Sequence, residues 1–393
     1  MTHAAAQDTI RGPAVLGPGA TIGVIGGGQL GRMLALDARR MGYRVVVLDP
    51  APDAPAAAVA DEHVAAAFDD PGAHMTLAAR ADVVTFEVEH VALDAARLAA
   101  ARCPVRPGLA ALAVCQHRAR EKAFLMQHGF PVAPWREATS PAALAEAAGA
   151  LGLPCVVKTP FAGYDGRGQV RVEHPGQLHA AAVGLDRGPL VVERVVPFAA
   201  ELAALVARGL DGSVATYPVA RTVHRDGILH EVSVPAELPD AVAARARSLG
   251  ESIANALDLV GVLAVELFLL ERGELLVNEL APRPHNSGHY TIDACVTSQF
   301  AQHVRAVCGL PLGATELLRP AAMVNLLGAH RGRVRLAGVE EALADPHVSL
   351  HVYGKAESWP GRKLGHITAL GASADDARRR ARAAAAALRW DPA

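Results

Sequence analysis

The apolar run Val262–Leu270 (VLAVELFLL) breaks at Arg272-Gly273 and resumes toward Val277, a pattern that commits this stretch to an antiparallel hairpin. Arg272-Gly273 reads as a two-residue turn. With Glu271 opposite Glu274, counting along both strands sets Glu266 opposite Glu279. Two carboxylates facing each other on one sheet face repel, and the neighbours of Glu266 are too apolar for a well-solvated position. A bound cation resolves the conflict, and Mg²⁺ suits it, because that ion takes few carboxylates and completes its shell with water and phosphate oxygens. The plainer alternative is a pair of solvent-facing glutamates. The second strand opens the segment Val277–Thr291 (VNELAPRPHNSGHYT), which concentrates amides, histidines, an arginine and Glu279, with Asn286 as a further oxygen donor.

A chain of 393 residues has ample core for two or three domains. With 51% hydrophobic and 20% charged residues the composition is that of a soluble globular protein. A net charge of −2 gives no bulk field toward nucleic acid or an anionic membrane, and no apolar run is long enough to span a bilayer. Cys103, Cys115, Cys155, Cys295 and Cys308 are scattered and lack metal-ligand spacing, so reduced thiols in a cytoplasmic protein are expected. Residues 1–20 lack a basic start followed by an apolar core and read as a loose leader.

From Thr21 a strand runs into GGGQLGRML, where Gly26, Gly28 and Gly31 fit G-x-G-x-x-G. A helix to Met41 and a strand ending at Asp49 complete a βαβ unit. By local rules this is a dinucleotide fingerprint with an acid placed for a ribose; the same glycines serve any tight strand-to-helix turn, with or without an anion at the helix N-terminus. Glu87 and Glu89, two residues apart in ADVVTFEVEH, share a face and point either into a site or onto a solvated rim. A helix is expected from about Leu109 to His128, with His117, Arg118 and Lys122 forming a solvated basic face. An extended linker (GFPVAPW) and a short helix capped by Thr139-Ser140-Pro141 follow.

Leu153–Val172 carries the second chemical pattern. A strand presents Lys158, then comes the loop Gly163-Tyr164-Asp165-Gly166-Arg167-Gly168-Gln169, then another strand. This is the layout of a lid over phosphates: loop N–H groups cradle oxygens and the lysine adds a point charge. Lys158 precedes the glycines, so it is not a Walker loop. Glu193 ends an apolar strand that turns at Pro197, and Glu201 opens another; a strand running into a linker can offer backbone groups to an adenine and Glu201 to a ribose. Turns at 211 and 226 imply an antiparallel sheet, with His224 at one turn, more in keeping with the surface than with a ligand. Helices are expected over Asp240–Leu257 and Cys295–Cys308. After Pro311 come short strands, the basic turn from Lys355 through Arg362, Lys363 and His366, and a terminal helix capped by Ser373. The basic turn is either a solvated loop or a grip for a phosphate monoester.

The order of these parts resembles the ATP-grasp superfamily, whose members hold ATP between two α+β lobes and activate a carboxylate as an acyl phosphate. Within it, GGGQLGRM, GYDGRGQ, NELAPRPHNSGHYT and GRKLGH together resemble the N5-carboxyaminoimidazole ribonucleotide synthetases of purine biosynthesis, over about Thr21 to Leu370. The resemblance implies an α/β and α+β chain: a Rossmann-like βαβ domain over 21–115, a two-lobed ATP-grasp domain over 116–310 and a small, mostly-β domain over 311–393. It implies an ATP- and Mg²⁺-dependent carboxylation of 5-aminoimidazole ribonucleotide by bicarbonate through carboxyphosphate, in a homodimer.

Residue by residue, the resemblance assigns ATP to Arg118, Lys158, Gly163, Tyr164, Asp165, Gly166, Arg167, Gly168, Gln169, Glu193, Arg194, Val195, Val196, Glu201, His224, Asn278 and Glu279. Metal goes to Glu266 and Glu279, and the reacting groups to Asp165, Arg167, His285 and Asn286. Ribonucleotide goes to Gly28, Gln29, Leu30, Glu87, Lys355, Arg362 and Lys363, the first βαβ unit serving substrate rather than NAD. Two places depart from the family pattern: Thr159-Pro160-Phe161-Ala162 replaces a basic, glycine-rich run, and His117 stands where an acid often precedes the arginine. Another ATP-grasp ligase or a formate-dependent purine transformylase is the alternative. A nicotinamide-dependent dehydrogenase would explain GGGQLG and Asp49 but not Lys158, the lid or the Glu266–Glu279 pair.

Overall fold

The structure is a computed structural model that describes residues 15–161, 168–185 and 189–393. Its first sheet has four parallel strands in the order Glu62–Val64, Arg44–Leu48, Thr21–Ile25, Val83–Phe86. The inner strands are apolar on both faces because helices such as Gln29–Arg40 and Pro71–Arg80 cover them.

Where one long helix was expected there are two, Leu109–Cys115 and Arg118–Gln127. His117 breaks them: its Nδ1 accepts the Arg120 N–H at 3.3 Å and caps the second helix. The restart turns Arg118, Glu121 and Lys122 inward, so the expected solvated basic face does not exist; Lys122 is 1% exposed. The expected Cys295–Cys308 helix likewise begins later, at Gln299–Val307, where Ser298 Oγ accepts the Ala301 N–H.

A smaller antiparallel sheet follows, in the order Trp135–Ala138, Leu190–Arg194, Cys155–Lys158, Gln169–Val172. The large sheet has nine strands. Its path begins at Leu275–Ala281 and passes through Gly261–Leu270, Phe198–Arg208, Ala220–Arg225 and Ile228–Val234 before Ala321–Leu327, Lys363–Leu370 and Val348–Val352. The C-terminal strands therefore extend the central sheet through the Ile228–Val234 pairing with Ala321–Leu327. The terminal helix Ala374–Ala387, capped by Ser373 as expected, lies on them and reaches back through a two-point Arg382–Glu231 ion pair at 2.5 and 2.9 Å.

The hairpin pairs Glu266 with Glu279, by a different route from the one counted. The turn is a three-residue loop, Glu271-Arg272-Gly273, with Gly273 at φ 86° and Leu270 N–H donating to Glu274 C=O. That sets Leu267 opposite Val277, one residue out of the expected register. A bulge then leaves Asn278 as an extra residue and restores Glu266 opposite Glu279.

Candidate active site

The three larger sheets meet around one cleft of about 830 Å³, lined from all of them. Gly28 and Glu87 come from the first sheet's loops, Gln29 and Leu30 from the start of the Gln29–Arg40 helix, and Lys158, Gln169, Glu193, Arg194, Val195 and Val196 from the small sheet and its exit. Glu201, His224, Glu266, Asn278 and Glu279 come from the large sheet, and Arg118, His285, Asn286, Lys355, Arg362 and Lys363 complete the wall. Gly168 is described but lies off the cleft wall, its carbonyl accepting the Thr159 N–H at 2.8 Å. Gly163, Tyr164, Asp165, Gly166 and Arg167 lie outside the described residues.

On the small-sheet side, Lys158 Nζ lies 2.9 Å from Glu193 and Lys122 Nζ 3.4 Å from the other oxygen. Burial alone would raise the Glu193 carboxyl, but Lys122 and Lys158 outweigh it and hold the group at about 2. Two buried cations on one carboxylate leave a net positive charge in the cleft floor, suited to phosphate.

Across the cleft, burial pushes the Glu266 carboxyl up to about 7; His224 opposes the shift, and Glu279 and Glu201 add to it. The facing Glu279 lies 3.5 Å from Arg118, and His285 Nδ1 is 3.8 Å from Glu266. This is the repelling pair expected from the register, and its two hard oxygen donors fit Mg²⁺. Among the described residues no group of three or more His, Cys, Asp or Glu side chains is arranged to hold a metal. Two carboxylates alone leave most of a hexacoordinate shell to water and phosphate. Asn286 is less available as a ligand than expected: its amide exchanges two hydrogen bonds with Asn325, at 2.7 and 3.1 Å.

His224 is not the exposed turn residue expected. It stands on Ala220–Arg225 with Nδ1 3.0 Å from Glu201. Burial disfavours its charged ring, but Glu201 and Glu266 outweigh that and raise its pKa. The Arg194 Nε donates to the Leu151 carbonyl at 2.7 Å. Beside this segment Phe198 and Phe268 stack at 4.7 Å, giving the same end of the cleft an aromatic surface.

At the βαβ end the dinucleotide reading fails for a physical reason. The N-terminus of Gln29–Arg40, where a pyrophosphate would sit, holds the chain's own Glu87 carboxylate, which accepts the N–H groups of Gly28 (2.7 Å) and Gly31 (3.1 Å). A Cβ on Gly26 or Gly28 would come within 2.9 Å of Glu87 atoms, so those glycines make room for this carboxylate. Asp49 accepts the Gly27 N–H at 2.7 Å and braces the same loop. Burial pushes Glu87 up to about 7 against the pull of the Gly28 bond and the Arg283 charge. Glu89 is also in the site, gripped by Arg283 through two contacts of 2.8 Å.

The C-terminal turn brings its cations to the cleft wall beside the Gln29–Arg40 helix, where a Cβ on Gly354 would lie 3.8 Å from Arg32. Arg362 lies 3.8 Å over the Trp359 ring, and Lys355 Nζ 5.7 Å from the Tyr353 ring. Glu121 and Arg283 line the cleft and Lys122 backs it through Glu193, none of them assigned from the sequence. The spacing of Arg118, Glu121 and Lys122 on one helical face was the available signal.

Two lobes around a phosphate-ready floor, a facing carboxylate pair and a preceding βαβ unit define an ATP-grasp enzyme. Family models agree: a ribonucleotide synthetase preATP-grasp domain matches residues 19–116, an ATP-grasp domain 123–300 and a phosphoribosylaminoimidazole carboxylase C-terminal domain 321–380. The N5-carboxyaminoimidazole ribonucleotide synthase of Bacillus subtilis is 46% identical over 358 residues, covering 90% of this chain and 92% of its own. That of Brucella melitensis is 45% identical, covering 90% and 97%. The Thermotoga maritima synthetase structure superposes with a TM-score of 0.87 at 40% identity, covering 95% of this chain and all of that one. The Aspergillus clavatus synthase, solved with ADP and 5-aminoimidazole ribonucleotide, gives 0.87 at 36% identity, covering 94% and 98%. The chain belongs to the N5-carboxyaminoimidazole ribonucleotide synthase family, ATP-grasp ligases of purine biosynthesis.

Proposed function

We propose that this chain carries out its family's reaction with the cleft residues in specific roles. ATP transfers its γ-phosphoryl group to a bicarbonate oxygen, giving ADP and carboxyphosphate. The amino nitrogen of 5-aminoimidazole ribonucleotide then takes the carboxyl carbon, phosphate leaves, and the nitrogen loses a proton. The observation that carries this reading is the convergence of the Lys158–Glu193 floor, backed by Lys122, the Glu266–Glu279 pair and the Lys355–Arg362–Lys363 rim on one cleft.

In this reading Lys158 and Arg118 meet the phosphates, and the Val195-Val196 linker with Phe198 and Phe268 receives the adenine. Glu201 and His224 take the ribose side. Glu266 and Glu279 would hold Mg²⁺, which when bound neutralises charge on the transferring phosphates. Asp165, Arg167 and His285 attend the reacting groups, and the 163–169 loop excludes water from carboxyphosphate. Three domains over 21–115, 116–310 and 311–393, a homodimer and a cytoplasmic location belong to the same reading. Among the described residues no helix is long and apolar enough to cross a membrane.

The deciding assay follows ADP release with bicarbonate, with and without 5-aminoimidazole ribonucleotide. Ribonucleotide-stimulated ADP release with a new carbamate product is expected; stimulation by formate instead would replace this reading with a transformylase.

Arg362→Ala tests the substrate end. A charge-assisted bond to phosphate is worth roughly 1.5–3 kcal/mol. The KM for the ribonucleotide should therefore rise by about tenfold or more, while the KM for ATP stays close to that of the parent. Steady-state kinetics varying each substrate decide it; a lost ATP affinity with retained ribonucleotide affinity would place this rim on the wrong side of the reaction.

A further inference from the structure

The strand Leu275–Ala281 ends the large sheet, and among the described residues its outer side carries an isolated bridge between Val132 and Val277 in place of another strand. Beyond that bridge the bulge at Asn278 interrupts the ladder. Asn278 and Leu280, two residues apart, direct peptide groups to the same open edge. Left buried without partners, such groups are costly. The helix Arg118–Gln127 supplies the partners from consecutive residues. Lys122 Nζ donates to the Asn278 carbonyl at 2.9 Å, and Glu121 Oε2 accepts the Leu280 N–H at 3.0 Å. These peptide groups flank Glu279, whose carboxylate faces Arg118 of the same helix. Both Glu121 and Lys122 are buried, at 2% and 1% exposure. Lys122 also pairs with Glu193 on the small sheet, so one ammonium ties the edge of one lobe to the floor of the other.

We propose that Glu121 and Lys122 are positioning residues for the Glu279 carboxylate, fixing the peptide groups on either side of it from the open edge of its strand. The inference rests on the reading of Glu279 as a metal ligand. A bulge gives a strand local freedom that a regular ladder denies it. Without the two clamps the peptide around Glu279 can rotate, and its carboxylate loses its fixed place opposite Glu266. Residues that orient a ligand in this way commonly change metal affinity by about 10–100-fold.

The test compares Glu121→Leu, which removes the acceptor, with Glu121→Gln, which keeps an amide oxygen for the Leu280 N–H. Mn²⁺ affinity of the ADP-bound enzyme is read by electron paramagnetic resonance, alongside separate KM values for ATP and for the ribonucleotide. Glu121→Leu should weaken Mn²⁺ binding by about tenfold and raise the KM for ATP, with the ribonucleotide KM unchanged; Glu121→Gln should recover the parental values. Parental Mn²⁺ affinity in a folded Glu121→Leu enzyme, or equal damage from Gln and Leu, would overturn the proposal. If Glu121→Leu does not fold, Lys122→Met, which removes the other clamp, should weaken Mn²⁺ binding likewise, and parental Mn²⁺ affinity in it would overturn the proposal; Mn²⁺ affinity alone is the readout for this variant, because Lys122 also pairs with Glu193. Glu279→Gln is the control: if it binds Mn²⁺ as the parent does, the metal reading has failed. If it loses Mn²⁺ while the clamp variants keep it, only the positioning inference has failed.

Discussion

Glu279→Gln is expected to lower kcat/KM for ATP by on the order of 10³-fold or more, about 4 kcal/mol of transition-state stabilisation, with the fold intact. Gln keeps the volume and one oxygen but removes the charge that, with Glu266, offsets a divalent cation. The same charge is unfavourable in the metal-free protein, where burial and Glu279 both raise the Glu266 carboxyl toward about 7. Thermal stability without Mg²⁺ should stay within roughly 1 kcal/mol of the parent, because the relieved Glu266 repulsion is offset by the charge lost opposite Arg118 at 3.5 Å and the Glu279 side chain is 44% exposed. Added Mg²⁺ should stabilise the parent in the presence of ADP and leave the variant where it was. Full turnover by Glu279→Gln at limiting Mg²⁺ would remove the carboxylate pair from the mechanism. A sharp stability loss would mean that Glu279 is a structural group.

The pairing behind this prediction was legible in the sequence, though for an incomplete reason. Alternation and turn chemistry located the hairpin, but the loop is one residue longer than counted and the Asn278 bulge cancels the error. The bulge was not legible because Glu121 and Lys122, from a distant helix, take up the peptide groups it frees. Charged residues spaced along a helix read as solvated, and only the open edge of a sheet they pack against reverses that. The glycine fingerprint failed similarly: Gly26, Gly28 and Gly31 fit a pyrophosphate turn locally, and what fills the turn is Glu87, far along the chain. Motif order survived better than local rules, because the described pieces line one cleft and the combination is more restrictive than any single loop.

Lys158→Met should lower kcat/KM for ATP by about 10²-fold, within the range found when one preorganised charge is removed from a transition state. Met is preferable to Ala here because Lys158 is 7% exposed, and a shorter side chain would add a cavity to the loss of charge. The ammonium has two relations to separate: its 2.9 Å contact with Glu193 and its place on the cleft wall. Removing it leaves Glu193 with Lys122, at 3.4 Å, so the buried carboxylate keeps a cation. Stability should fall by roughly 1–3 kcal/mol, less than the 3–5 kcal/mol of a buried pair broken outright. Because the developing charge lies on the transferring phosphoryl group, kcat should fall as well as KM rise. Ribonucleotide KM should not move, since that substrate's phosphate is assigned to Lys355, Arg362 and Lys363, which reach the cleft from a separate segment. Denaturation and two-substrate kinetics on the same preparation give both numbers. Unchanged ATP kinetics with reduced stability would confine Lys158 to the Glu193 pair and take the phosphate role away from it.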